Sequence, residues 1–452
     1  MFKFLLSIFP LLILGCSSSS SEESRTLAYP YSTNYDTSNE ATKQNPLLVI
    51  RLDYANQQFV NDETTWANKI FGTQTSQLND YMNEVSNGQF QYTPVAEGGG
   101  ANDGVVTVLF SSDHPNPSNI DDDSTFHPDL KEAIEAVSNY GFDFSLYDDN
   151  NDGAISPDEL LIVFIMAGEE DAFNGGSSDN GIWAHQYCTT ATYTPNVNGM
   201  NVMGCSSGGN FAIFGERHCY SSNNCHDATI GIIAHELGHA ALSLPDLYYG
   251  SATRIGYYGI MSVGSWGQVG GSGEPGDTPT HFCAWSKLAA DLYTNPIVVE
   301  NAQNTYTVNA TGTAGYNIYK VPLNASNTEY FLVENRGVNS YDAGLKFVNN
   351  NFTGGVAIWH IDEQVIIAKT PTNSVNSNAA HKGVDIEEAT GPNVDIGNGD
   401  PVQNLYYSSN VNAFTTSTTP NTNDYNDLSS GIVMSNISPI SETMTLDINN
   451  PN

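Results

Sequence analysis

The chain has 452 residues, room for about three domains of ~150 residues, and its 39% hydrophobic and 11% aromatic content excludes global disorder. Lys and Arg number 14 against 50 Asp and Glu, a formal charge of −36. Such a surface repels phosphate backbones, which excludes nucleic acid as a natural partner and favours cations.

Lys3 precedes the apolar run Phe4 to Leu14, which is too short to span a bilayer and reads as the core of an export signal. It ends in Ile13-Leu14-Gly15-Cys16 and a run of serines. That ending resembles the bacterial lipoprotein signal, with Leu14 bulkier than the residue usual there. The resemblance implies a lipid on Cys16, a membrane anchor through it and, from Ser17, the outer membrane. The alternative is an ordinary secretory signal. Residues 17–45 are rich in Ser, Thr, Asn and Glu without an apolar period and read as a flexible tether. Five cysteines follow Cys16. An exported chain permits disulfides, and an odd number leaves one thiol over. The sequence-local pairings are Cys188 with Cys205 and Cys219 with Cys225, leaving Cys283 buried in an apolar run.

From Pro46 the pattern changes. Leu47 to Leu52 is a buried-strand run, and helices are expected over 64–71 and 77–85, where Leu78, Tyr81, Met82 and Val85 share a face. Residues 88–92 and 105–110 read as strands, 129–138 as a helix and Leu160 to Met166 as a second buried strand. Alternating strands and helices argue for a mixed α/β sheet. After Tyr293 short alternating strands take over, at 306–308, 316–321, 329–334, 356–361 and 444–448, with no helical pattern. They predict an all-β unit of sandwich type.

The chemistry concentrates in His235-Glu236-Leu237-Gly238-His239, behind the apolar stretch Thr229 to Ala234, with Asp227 as the expected N-cap. Histidines four apart lie on one helix face, so both imidazoles reach one zinc ion, and Glu236 is placed to act as general base. A third ligand is required, and the turn imposed by Pro245 can return Asp246 to the metal. His281 is the alternative ligand, whereas His185 and His360 read as core or supporting residues. Tyr257 or Tyr258 is the candidate for stabilising an oxyanion. Further on, Gly259-Ile260-Met261-Ser262 resembles the methionine turn beneath the zinc of metzincin peptidases.

With that turn the chain resembles the immune inhibitor A family of secreted bacterial zinc metallopeptidases. The segments that carry the resemblance are Gln77 to Phe90, Phe142 to Ser145, Ile182 to His185, Gly276 to His281 with Ala284 to Leu288, Glu329 to Arg336 and Ile358 to Glu363. In one respect this sequence departs from the family. Ser243 stands nearest the family's glycine, and the acid follows the second histidine by seven residues where the family has six. One added helical position would absorb the difference. The resemblance implies a zincin-like α/β (α+β) catalytic domain, residues 46–293, followed by the all-β, sandwich-like domain, 294–452.

A second metal motif runs from Asp148 to Glu159. Asp148, Asn150, Asp152, Ala154, Ser156 and Glu159 occupy positions 1, 3, 5, 7, 9 and 12 of an EF-hand loop, with Gly153 at position 6. Strand follows directly, so the loop reads as a structural calcium clip. The function expected is an exported zinc endopeptidase with Zn2+ and Ca2+, acting on protein or peptide substrates. Its rivals are an idle surface binding or adhesin protein on the same fold and a zinc hydrolase of non-peptide bonds.

Overall fold

The computed structural model describes residues 43–117, 123–175, 180–269, 273–323, 327–390, 395 and 399–452. The export signal, Cys16 and nearly all of the tether lie outside the described residues. Among them, no helix is long and apolar enough to cross a membrane.

The strand Lys43–Asp53 is the centre of an eight-stranded sheet. It runs parallel to Leu161–Glu170 on one side; on the other, Phe90–Pro94 and Val105–Leu109 pair in tandem along its length. Phe211–Ser221 lies parallel to Leu161–Glu170, and Asn224–Asp227 closes the edge antiparallel to it. Side chains alternate between the two faces. Leu47, Val49, Leu161, Val163, Ile165, Ala212 and Phe214 enter one core, together with Ile230, Ile233, Ala234 and Leu237 of the motif helix. Leu48, Ile50, Leu52, Ile162, Phe164, Met166 and Ile213 enter the other, beneath Phe126, Leu130, Ile134 and Val137. A sheet covered on both faces explains why these strands read as unbroken apolar runs.

The helix expected over 129–138 is longer, Asp123–Asn139, and passes through Pro128. Burial of Phe126 draws the upstream turn into the second core.

Downstream of 293 stand a five-stranded sheet, centred on Glu329–Arg336, and a four-stranded one containing Ala302–Asn309 and Thr443–Asn450. The absence of helix expected there does not hold. Glu363–Lys369 is helical, because the Asp362 carboxylate accepts from the backbone N–H groups of Gln364 at 2.9 Å and Val365 at 3.3 Å. The apolar core is also continuous across residue 293, running from Leu47 through Met261 to Phe331, Trp359 and Ile448.

A buried ion network spans the same junction. Arg336 donates from Nε to Asp342 at 2.6 Å and from Nη1 to the Tyr258 carbonyl at 2.7 Å. Glu334 lies 3.3 Å from Nη1 and accepts from the Trp359 indole at 3.0 Å. Asp342 also accepts from the His281 amide at 3.0 Å and the Thr311 hydroxyl at 2.7 Å. Each buried charge therefore has several partners, the condition under which such burial is tolerated.

Candidate metal centre

The edge strand Asn224–Asp227 delivers the chain into the helix Ile230–Ala240, on the face of the sheet that continues into the C-terminal half. The N-cap is Thr229 rather than Asp227. Asp227 is instead held in the edge strand by Arg217 at 2.6 Å and by the Asn61 amide. Thr229 does not cap through its side chain, which donates to the Pro275 carbonyl at 2.9 Å.

His235 and His239 project from one face of this helix, and Asp246 closes on them. Oδ1 of Asp246 lies 3.3 Å from Nε2 of His235 and 3.2 Å from Nε2 of His239, and the two Nε2 atoms are 3.3 Å apart. Among the described residues this is the one group of three His, Cys, Asp or Glu side chains whose ligand atoms gather within 4.8 Å. His281, the alternative ligand, is not part of it; its Nε2 meets Glu84 at 2.8 Å. His185 bonds the Trp183 carbonyl at 2.7 Å, and His360 lies between Glu329 and Glu387.

The outer ring atoms decide the protonation of the inner ones. Nδ1 of His235 faces the Ile260 carbonyl at 2.8 Å, and Nδ1 of His239 faces the Leu244 carbonyl at 2.6 Å. A carbonyl only accepts, so each Nδ1 carries the proton and each Nε2 presents a lone pair. Two imidazole lone pairs and a carboxylate oxygen at these distances repel one another unless a cation lies among them. The donor set, two nitrogens and one oxygen, is that of a catalytic zinc site, in which the fourth position is left to water. Burial raises the Asp246 carboxyl, but positive charge placed on the two imidazoles holds it well below the usual carboxylate range, and a cation held among the three groups would supply the same charge.

Glu236 is buried, and its Oε2 has no hydrogen-bond partner. Burial pushes its carboxyl up to about 8; His235 opposes the shift and Asp246 adds to it. A carboxyl near neutrality serves both to take and to return a proton.

The methionine turn underlies the helix. A Cβ on Gly238 would stand 2.4 Å from the Met261 sulfur, so only glycine permits that approach. The Met261 carbonyl accepts from the Leu247 amide at 2.7 Å, which ties the turn to the loop bearing Asp246. Helix-type bonds continue past Ala240, from the Ala241 amide to the Leu237 carbonyl at 2.9 Å and from the Ser243 amide to the His239 carbonyl at 3.1 Å. The helix ends at Ala240, and Ser243 turns left-handed at φ +53° in the place of the family's glycine.

The oxyanion role expected of Tyr257 or Tyr258 finds no support. Tyr258 is buried with Asn404, Glu388 and Arg336 as its polar surroundings, and Tyr257 packs on Phe347 at 5.3 Å. The aromatic beside the centre is Tyr248, stacked over His235 at 6.2 Å. Sequence reasoning also missed Asn373, which reaches Asp246 from the C-terminal half. Neither carries a periodicity or motif that would have singled it out.

In the loop 148–159, where calcium is expected from the sequence, the carboxylates turn onto backbone amides. Asp148 accepts from the Asp152 and Gly153 amides, Asp152 from the Ala154 amide, and Glu159 from Asn150 at 3.2 Å and Ser156 at 2.9 Å. Ala154–Ile155 pairs with Met200–Val202, which fixes the loop to a neighbouring hairpin. Both sequence-local disulfides are formed, Cys188–Cys205 and Cys219–Cys225, and Cys283 is free and buried.

A zinc-type triad on a glycine-bearing helix, above a methionine turn and beside a mixed sheet, is the arrangement of a metallopeptidase catalytic domain. Residues 111–291 match the family model of the immune inhibitor A peptidase M6 catalytic domain. A stretch of 141 residues, 30% of this chain, is 36% identical to the pre-pro-metalloprotease PrtV of Vibrio cholerae serotype O1, in strains M66-2 and ATCC 39315 / El Tor Inaba N16961. That stretch spans 14% of the length of those relatives. A crystal structure of wild-type OgpA from Akkermansia muciniphila overlaps 67% of this chain and 75% of its own at 12% identity and a TM-score of 0.28, too loose an overlap to carry an argument. Of the segments that resemble the family in sequence, Gln77 to Phe90, Glu329 to Arg336 and Ile358 to Glu363 lie outside the matched residues.

Proposed function

We propose that this protein is an exported zinc endopeptidase. The observation that carries the reading is the convergence of two Nε2 lone pairs and one carboxylate oxygen within 3.3 Å, beside a buried, unpartnered Glu236 oxygen. His235, His239 and Asp246 hold the metal. Zinc in that position supplies a Lewis acid for the scissile carbonyl and acidifies water. Glu236 takes a proton from the attacking water and passes it to the leaving amine. The His235 and His239 rings are kept in the ligating tautomer by the Ile260 and Leu244 carbonyls.

Substrates are proteins or peptides, and the three metal ligands and Glu236 all lie within residues 46–293. The two disulfides support export, since they persist in an oxidising compartment. Cys16 is the lipid-bearing residue that anchors the protein at the outer membrane. The 148–159 loop binds calcium as a clip, supported by the ligand register of the sequence and by the charge of Asp148, Asp152 and Glu159.

Digestion of casein by the zinc-loaded protein, suppressed by phenanthroline, is the expected result. A protein that retains zinc yet leaves casein and other peptides intact would refute the peptidase reading. Transfer of Cys16→Ser from the membrane to the soluble fraction is expected for the anchor, and an unchanged distribution would refute it.

A further inference from the structure

We infer that Asn373, in the C-terminal half and outside the matched catalytic span, is a positioning residue that fixes the Asp246 carboxylate for metal binding. The inference rests on the assignment of Asp246 as third ligand.

One primary amide grips Asp246 at both ends. The Asp246 backbone N–H donates to Oδ1 of Asn373 at 2.7 Å, and Nδ2 of Asn373 donates to Oδ2 of Asp246 at 2.5 Å. With Oδ2 engaged in this closed pair, Oδ1 is the oxygen turned toward the two imidazoles, at 3.3 and 3.2 Å. A carboxylate on a loop has free rotation about its Cα–Cβ and Cβ–Cγ bonds; two hydrogen bonds to one rigid amide remove it. This matters more here than for the histidines. They are held on a regular helix, whereas Asp246 follows a turn one residue longer than the family pattern.

The grip has its own foundation. Asn373 is the C-cap of the turn Thr370–Thr372, left-handed at φ +46° and ψ +46°, a conformation asparagine tolerates well. Three residues on, Asn376 is buried and donates to the Leu247 carbonyl at 3.1 Å and the Val384 carbonyl at 2.8 Å, while its Oδ1 accepts from the Val384 amide at 3.1 Å. Strand Val384–Ile386 belongs to the C-terminal five-stranded sheet. The metal loop at 246–247 is thus clamped from a sheet more than a hundred residues away in sequence. The centre is incomplete without the C-terminal half.

The test measures zinc affinity of the full chain by competition with a chromogenic chelator. The absorption of the cobalt-substituted protein and the melting temperature of the metal-stripped protein are read alongside. Asn373→Gly keeps the left-handed backbone and removes the amide. Asn373→Asp keeps the shape and replaces the Nδ2 donor by an oxygen. Both are expected to weaken zinc about 10–100-fold and to shift the cobalt spectrum, the usual effect of losing a partner that orients a ligand. Wild-type affinity and spectrum in both variants would overturn the inference, as would a loss confined to variants whose metal-stripped form is already unfolded. Asp246→Ala separates the two levels. If it binds zinc as tightly as wild type, the ligand assignment itself fails; if it is weakened while both Asn373 variants are not, only the positioning role fails.

Discussion

Two regions of this molecule carry metal-type residues, and they handle their charge in opposite ways. At 235–246 the outer atoms of each group are occupied, by the Ile260 and Leu244 carbonyls and the Asn373 amide, so the inner atoms are left to face one another. In the 148–159 loop the carboxylates of Asp148, Asp152 and Glu159 turn onto backbone N–H groups of the loop itself. The first arrangement is built by neighbours to demand a cation. The second is partly satisfied by its own backbone, so a cation there relieves repulsion without being the only source of order. Convergence of ligands is therefore a tertiary property, even when a ligand pattern is a local one.

The comparison breaks most readily at the triad. His239→Ala removes one of three ligands and is expected to abolish both stoichiometric zinc and proteolysis, measured by metal analysis and casein digestion; full zinc content in that variant would remove His239 from the centre. Glu236→Gln leaves the three ligands in place. Zinc content should be unchanged while activity falls by ~10²–10⁴-fold, the usual contribution of a general base. More than about a tenth of wild-type activity would contradict the role.

At the loop the effects should be smaller and thermodynamic. Glu159→Gln weakens acceptance from Asn150 and Ser156 and removes a charge, for a loss of about 1–3 kcal/mol in stability. Calcium at millimolar level should raise the melting temperature of the wild type and leave the variant little changed. If wild type does not respond, the loop is a self-satisfied acidic turn and the contrast with the triad is complete. Smallest of all is the helix exit. Ser243→Gly should keep wild-type stability within ~1 kcal/mol, whereas Ser243→Val should lose about 1–2 kcal/mol, because a β-branched residue is poorly accommodated at positive φ. Equal melting temperatures for the two would mean that the left-handed turn is not required.

Much of the centre was legible along the chain because its parts are local. His235, Glu236 and His239 follow from the 3.6-residue period of one helix, and Met261 from the resemblance of Gly259 to Ser262 to a known turn. The buried strands follow from apolar runs, since both faces of their sheet are covered. The disulfide partners, close in sequence, needed only a compartment that permits them. Asp246 was legible only as a candidate, because its spacing departs from the family's and a turn of unknown path separates it from the helix. The left-handed turn at Ser243 decides that path. Asn373 was not legible at all: it lies 127 residues from its partner, and a single amide leaves no trace in periodicity or composition. The same holds for the buried Arg336 network and for the unbroken core beneath residue 293, where alternation along each strand shows which face is apolar but not what covers it. Sequence determines which groups a local segment presents together; which distant group completes them depends on packing between segments, and only the folded chain supplies that.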